Sequence, residues 1–136
     1  MDFSIIIPTR NRPVQIAACL AALEKLDYPR DQYEIIVVDD GSEPPLTGSH
    51  VVRQQPSGPA TARNTGAAMA RGRWLAFTDD DCAPQPDWLQ QLAAKLQDVP
   101  DSLAGGYIQN GLPDNPYSTA SQLLVDYLYT YYNAST

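Results

Sequence analysis

Apolar residues in this chain come in short β-branched blocks separated by stretches with helical spacing. Phe3 to Pro8 is almost wholly apolar and reads as a buried first strand. Pro13, suited to a first helical turn, opens a helix on which Ile16, Leu20, Leu23 and Leu26 fall near one face, stopping before Tyr28-Pro29. Tyr33 to Val38 predicts a second strand and Val51 to Gln54 a weaker third. Ala60 to Ala70 predicts a helix of small residues closed by Gly72, and Trp74 to Thr78 a fourth strand. Pro86-Asp87-Trp88-Leu89 starts a further helix carried by Leu89, Leu92 and Leu96. A strand is expected near Leu103 to Gln109, and a tyrosine-rich helix from Ser118 to Tyr132. Strands alternating with helices predict an α/β fold with parallel strands and crossover helices, and no repeat or low-complexity tract interrupts it.

Size and charge narrow the picture. At 136 residues and 43% hydrophobic, the chain can bury one ordinary core, so a single domain over 1–136 is expected. A formal charge of -7 argues against a nucleic-acid partner, because phosphate-backbone binding needs a basic face. Any phosphate bound here is expected to arrive with a metal. Cys19 and Cys82 lack metal-site spacing and suggest reduced thiols rather than a disulfide framework. The start of the chain does not read as a signal peptide, and nowhere do ~18 apolar residues run together. A cytoplasmic protein is expected, with peripheral contact at the inner face of a membrane left open.

The candidate chemistry lies where strands end. The first strand runs into Pro8-Thr9-Arg10-Asn11-Arg12, the second into Asp39-Asp40-Gly41-Ser42, and the fourth into Asp79-Asp80-Asp81. In open parallel sheets ligands bind at that carboxyl edge. One such cluster is ordinary turn chemistry; three on one edge argue for a site. Consecutive residues of extended chain alternate sides, so Asp79 and Asp81 can face one point while Asp80 turns away, offering oxygen ligands to a hard divalent cation.

In their order along the chain, Ile5 to Arg12, Ile36 to Ser42, Gly58-Pro59-Ala60-Thr61-Ala62-Arg63-Asn64-Thr65-Gly66 and Phe77 to Asp81 resemble a family 2 glycosyltransferase. The resemblance covers nearly the whole chain. It implies the GT-A fold, a Rossmann-like, mainly parallel sheet flanked by helices. The activity implied is metal-dependent, inverting transfer of a sugar from a nucleoside-diphosphate donor, UDP foremost, to a sugar, lipid or protein acceptor. Thr9 and Asp40 would flank the nucleobase, with Pro8 beside them, and Asp80 would lie near the ribose. Asp79-x-Asp81 would hold Mn2+ or Mg2+ on the diphosphate. Arg12 and Arg63 can bridge phosphate oxygens in bidentate fashion, and a carboxylate at Asp40 can accept a hydrogen bond from a nucleobase imide.

Domains of that family run to ~200 residues or more, so the chain is expected to be the donor-binding portion, short at its C-terminus. The family's general base lies well beyond the Asp-x-Asp motif. Asp114 and Asp126 are the only acids after Asp101, and neither is in the expected setting, so no catalytic base is assigned.

Plainer roles compete for several residues. Arg63 could equally pair with a surface carboxylate, and Arg10 and His50 read as exposed. The stripe Leu123, Leu124, Tyr127, Leu128 and Tyr131 reads first as core packing, with an acceptor or membrane surface as the alternative, and Tyr127, Leu128 and Tyr131 as the contact surface if the fragment self-associates. Two rival functions are a non-catalytic nucleotide-sugar-binding module and a haloacid-dehalogenase-like phosphatase. Against the latter, the acidic motif follows three strands and Ala83 stands where a hydroxyl residue is usual.

Overall fold

The computed structural model describes residues 1–98, 103–106, 109 and 111–133. The chain divides into two compact units, Met1–Ser102 and Leu103–Thr136.

The first unit is a four-stranded sheet with helices. In chain order it contains β1 (Phe3–Thr9), α1 (Pro13–Leu23), a 3-10 turn at Arg30–Gln32, β2 (Tyr33–Asp39), β3 (Val51–Arg53), α2 (Pro59–Met69), β4 (Trp74–Phe77) and α3 (Trp88–Asp98). The strands lie in the order β3-β2-β1-β4, every pair parallel. Phe3 is opposite Tyr33 on one side and Trp74 on the other, while Thr9 is opposite Asp39. A strand flanked on both edges and both faces must be apolar throughout, and every residue of β1 is buried.

Alternation along the strands assigns the helices to faces. Ile6 and Val38 point to α2, where Gly66 lets the helix come close: a Cβ there would stand 2.5 Å from Ile6 Cγ2 and 3.2 Å from Val38 Cγ2. Ile36, Val38 and Ala62 form a core cluster on this side. On the other face the Tyr33 hydroxyl reaches Leu23 O at 3.5 Å, beside the end of α1. The buried residues of α1 are Ile16, Cys19 and Leu23, with Leu26 buried just beyond the helix. Cys19 therefore takes the core position expected of Leu20, which sits half-buried one residue round the helix.

Several boundaries differ from expectation. β1 and β2 each run one residue further, so Thr9 and Asp39 belong to the ladder itself. β4 stops at Phe77, where the acidic run turns. Helix α2 ends at Met69, and Gly72 does not close it but donates its N–H to the buried Ser4 Oγ at 2.8 Å. The strand expected over 103–109 is absent at residues 103–106 and 109, while 107 and 108 lie outside the described residues.

The second unit contains α4 (Pro116–Asn133). Its apolar stripe is exposed, from 41% at Leu128 to 65% at Leu123, so packing within the second unit does not account for it. Tyr127 and Tyr131 stack at 6.1 Å along the helix. No helix among the described residues is long and apolar enough to cross a membrane.

Candidate functional site at the carboxyl edge of the sheet

The three strand-end clusters meet at one edge. Because β1 is flanked by β2 and β4, the loops leaving these strands start side by side. The Asp40 N–H donates to Thr9 O at 2.9 Å, carrying the β1–β2 ladder one step past the strands. The Thr9 hydroxyl donates to Asp80 Oδ2 at 2.7 Å, and Arg12 Nη1 donates to Asp80 Oδ1 at 3.0 Å and to Asp81 Oδ2 at 3.2 Å. Thr9 and Asp80 are both buried, while Arg12 remains half exposed. Asn11, at φ 53°, uses the left-handed conformation that Asn tolerates better than most residues. Its N–H reaches Ser42 Oγ at 2.9 Å and its side-chain carbonyl accepts from Glu43 N at 2.8 Å, tying the first loop to the second.

Asp39 and Asp40 have separate tasks. Asp39 is fully buried and accepts from Ser42 N at 2.8 Å, Leu46 N at 3.2 Å and Arg53 Nη1 at 2.9 Å. Burial opposes its charge, but hydrogen bonds from Ser42 and Leu46 and the Arg53 guanidinium outweigh it and hold the carboxyl below its ordinary range. Asp40 accepts from Gln54 Nε2 at 2.7 Å and Ser57 N at 2.8 Å on Oδ1, and from Gly58 N at 2.9 Å on Oδ2. Its carboxyl is likewise lowered: burial works the other way, while these bonds and the nearby Arg10 charge prevail. Gly41 between them and the 54–58 loop sits at φ +77°, and a Cβ there would run into the Pro56 ring.

The acidic run does not alternate as extended chain. Cys82 N–H donates to Asp79 O at 3.1 Å, closing a turn that sends the three carboxylates to different neighbours. Asp79 pairs with Arg63 Nη2 from α2 at 2.5 Å, Asp80 turns inward to Thr9 and Arg12, and the exposed Asp81 takes only Arg12 among these partners. Asp79 and Asp81 supply the hard oxygens a Mg2+ or Mn2+ ion prefers. Among the described residues, however, no group of three or more His, Cys, Asp or Glu side chains is arranged to hold an ion. A cation bound here would draw further oxygens from its ligand or from water. Behind the turn, burial and then the neighbouring Cys82 and carboxylates push the Cys19 thiol up to about 11.

Pro8 is buried within β1 opposite Val38, so it shapes the floor under Thr9. Thr9 and Asp40 adjoin through the backbone, but their side chains take different partners. His50 is exposed. Sequence reasoning missed Arg53, Gln54 and Thr65. Arg53 had a readable signal, since a parallel β2–β3 pairing puts it opposite Asp39. Gln54 and Thr65 had none, because they meet only once the loop folds back. A separate cleft of about 440 Å³ at the amino-terminal end of β2, lined by Tyr33, Glu34, His50, Val52, Met69 and Arg71 among others, includes none of the cluster residues.

The fold and site define an open parallel α/β protein with its candidate ligand site where the polar loops converge at the carboxyl edge. The profile of glycosyl transferase family 2 matches residues 4–135, and the chain belongs to that family. Glycosyltransferase AglE of Haloferax volcanii is 32% identical over 126 residues, which is 82% of this chain and 40% of AglE. The hyaluronan synthase of Pasteurella multocida is 35% identical over 115 residues, covering 74% of this chain and 12% of the synthase. Among solved structures, TarS of Staphylococcus aureus in complex with UDP superposes with a TM-score of 0.63 at 25% identity, over 79% of this chain and 39% of that one. The mannosyltransferase PcManGT of Pyrobaculum calidifontis, in complex with GDP-Man and Mn2+, gives 0.62 at 28% identity, over 71% and 32%. The fold is thus GT-A, and the chain spans less than half the length of these relatives. Family membership leaves no place for the phosphatase reading.

Proposed function

We propose that this chain forms the donor-binding part of a metal-dependent, inverting glycosyltransferase that uses a UDP-sugar. The observation that carries the reading is the joining of the loops after β1, β2 and β4 through Thr9, Asp80, Asn11 and Ser42, which makes one shelf of residues far apart in sequence. On this shelf Thr9 and Asp40 receive the nucleobase above Pro8, Asp80 lies near the ribose, and Asp79 and Asp81 face the diphosphate.

A divalent cation, when bound, neutralises the charge that grows on the departing diphosphate. Arg12 and Arg63 keep the acidic carboxylates paired until then, and each is half exposed and free to turn toward phosphate oxygens. Without such positive charge, each close carboxylate would repel a diphosphate by about 4 kcal/mol at intermediate dielectric. Asp114 and Asp126 belong to the second unit, and neither is assigned as general base. The acceptor is a sugar, a lipid carrier or a protein. The GT-A relatives bound to UDP, UDP-GlcNAc and GDP-Man support a nucleotide-sugar donor, and their differing bases leave the choice of nucleotide to this chain's own residues.

A thermal-shift panel tests the reading. Nucleoside diphosphates and nucleotide sugars are compared with and without Mn2+, since a ligand that binds only the folded state raises its stability. A metal-dependent rise confined to uridine and thymidine compounds is expected. No rise with any of them, with or without metal, would overturn the proposal.

A further inference from the structure

The carboxylate of Asp40 is nearly filled, and how it is filled bears on which base it can read. A carboxylate accepts about four hydrogen bonds, two on each oxygen. Oδ1 already takes two, from Gln54 Nε2 and Ser57 N; Oδ2 takes one, from Gly58 N. One acceptor position remains, on Oδ2. The Gln54 amide cannot be reversed without facing its carbonyl to the carboxylate, and its Oε1 is held by the Thr65 hydroxyl at 2.7 Å. The Gln54 backbone is itself fixed by its N–H to Asp39 O at 3.0 Å.

Uracil and thymine offer a carboxylate a single imide N–H flanked by carbonyl oxygens. Guanine offers two adjacent donors, the ring N–H and the exocyclic amine, which pair with both oxygens of a carboxylate at once. We infer that Gln54 is a specificity-determining residue: by filling Oδ1 it leaves Asp40 able to accept from a one-donor base and unable to take the two-donor guanine edge, with Thr65 holding the amide in that orientation. This rests on the reading that Asp40 faces the nucleobase. Gln54 acts through Asp40 and is a positioning residue.

Calorimetric titration of the chain with UDP, CDP and GDP in the presence of Mn2+ tests it on wild type, Gln54→Leu, Thr65→Val and Asp40→Asn. Wild type is expected to prefer UDP over both others. Gln54→Leu, which opens Oδ1, should raise the ratio of GDP to UDP affinity about tenfold, the scale of one hydrogen bond made or lost in a closed site. Thr65→Val should move the ratio the same way by about threefold. A purely structural role for Gln54 would weaken all three ligands alike, and an unchanged GDP-to-UDP ratio in Gln54→Leu overturns the inference. If Asp40→Asn loses discrimination between UDP and CDP while the Gln54 ratio stays fixed, only the role of Gln54 falls. If Asp40→Asn discriminates as wild type does, or wild type prefers GDP, the placement of the base at Asp40 falls as well. Should Gln54→Leu not fold, the nearly isosteric Thr65→Val decides, and an unchanged ratio there counts against the inference.

Discussion

Thr9 and Asp80 stand 71 positions apart and share a buried hydrogen bond of 2.7 Å. The bond joins the end of the first strand to the middle of the acidic turn, and Arg12 closes the same carboxylate from the solvent side at 3.0 Å. Replacing Thr9 by Val keeps the shape and removes the donor. Thr9→Val should cost about 1.5–3 kcal/mol, the usual range for a hydrogen bond to a charged group. Urea unfolding checks the midpoint, and an unchanged midpoint would mean that the bond contributes nothing.

Asp39 provides a pH test. Its ordinary carboxyl value is 3.8 and its folded value is lower. The stabilisation it contributes is complete above the unfolded value and is lost as pH falls through the lower folded one. Asp39→Asn should therefore be less stable than wild type by about 2 kcal/mol at pH 7, below the range for a fully buried pair because Arg53 stays part-exposed. That difference should hold steady down to about pH 5 and shrink below about pH 4. Denaturant midpoints of both proteins across this range measure it, and a gap that widens in acid would contradict the assignment.

The metal reading makes its own demand on Asp81. Asp81→Asn should weaken Mn2+-dependent UDP binding at least tenfold, whereas Asp31→Asn, on the exposed 3-10 turn, should not. Equal affinities for the two variants in calorimetry would remove Asp81 from the metal site.

Close helix packing is tested at Gly66. A methyl group there must push against Ile6 and Val38, both buried in the sheet. Gly66→Ala should lower stability by about 1–3 kcal/mol despite the better helix propensity of alanine, because an overpacked core resists displacement. A raised melting temperature would show that α2 can shift outward at little cost.

The elements that position the site could be read from periodicity, because β1 and β2 are apolar over a length no surface segment would tolerate and each stops at a polar cluster. That Thr9, Asp40 and the acidic run share one edge followed from parallel strands, but that Asp80 is the carboxylate turned inward to Thr9 did not. What could not be read lies in contacts across loops. The 54–58 segment, with its proline, serine and glycine, has no period, so nothing in it announces that Gln54, Ser57 and Gly58 will surround Asp40. The acidic turn shows a different failure. Alternation holds only in extended chain, and past the end of β4 the backbone turns, with Cys82 N–H bonded to Asp79 O and the three side chains sent to different neighbours. The stripe on α4 has helical spacing without burial, since periodicity records which residues share a face and not what covers it.

The central position of β1 bears on how the protein is made. This strand leaves the ribosome before either of its partners in the sheet, Tyr33–Asp39 and Trp74–Phe77, so neither edge of the most apolar segment can be satisfied locally. Until residue 77 has emerged, Ile5, Ile6 and Ile7 have at most one neighbouring strand. At ordinary elongation rates of about 5–20 residues per second, that leaves the segment incompletely covered for several seconds. Parallel pairing of this kind is slow because distant chain must be brought together before contacts reward it. The nascent chain therefore exposes a sticky isoleucine-rich segment for longer than a hairpin-built sheet would, and synthesis rate or chaperone capture will govern its yield as much as the stability of the finished fold.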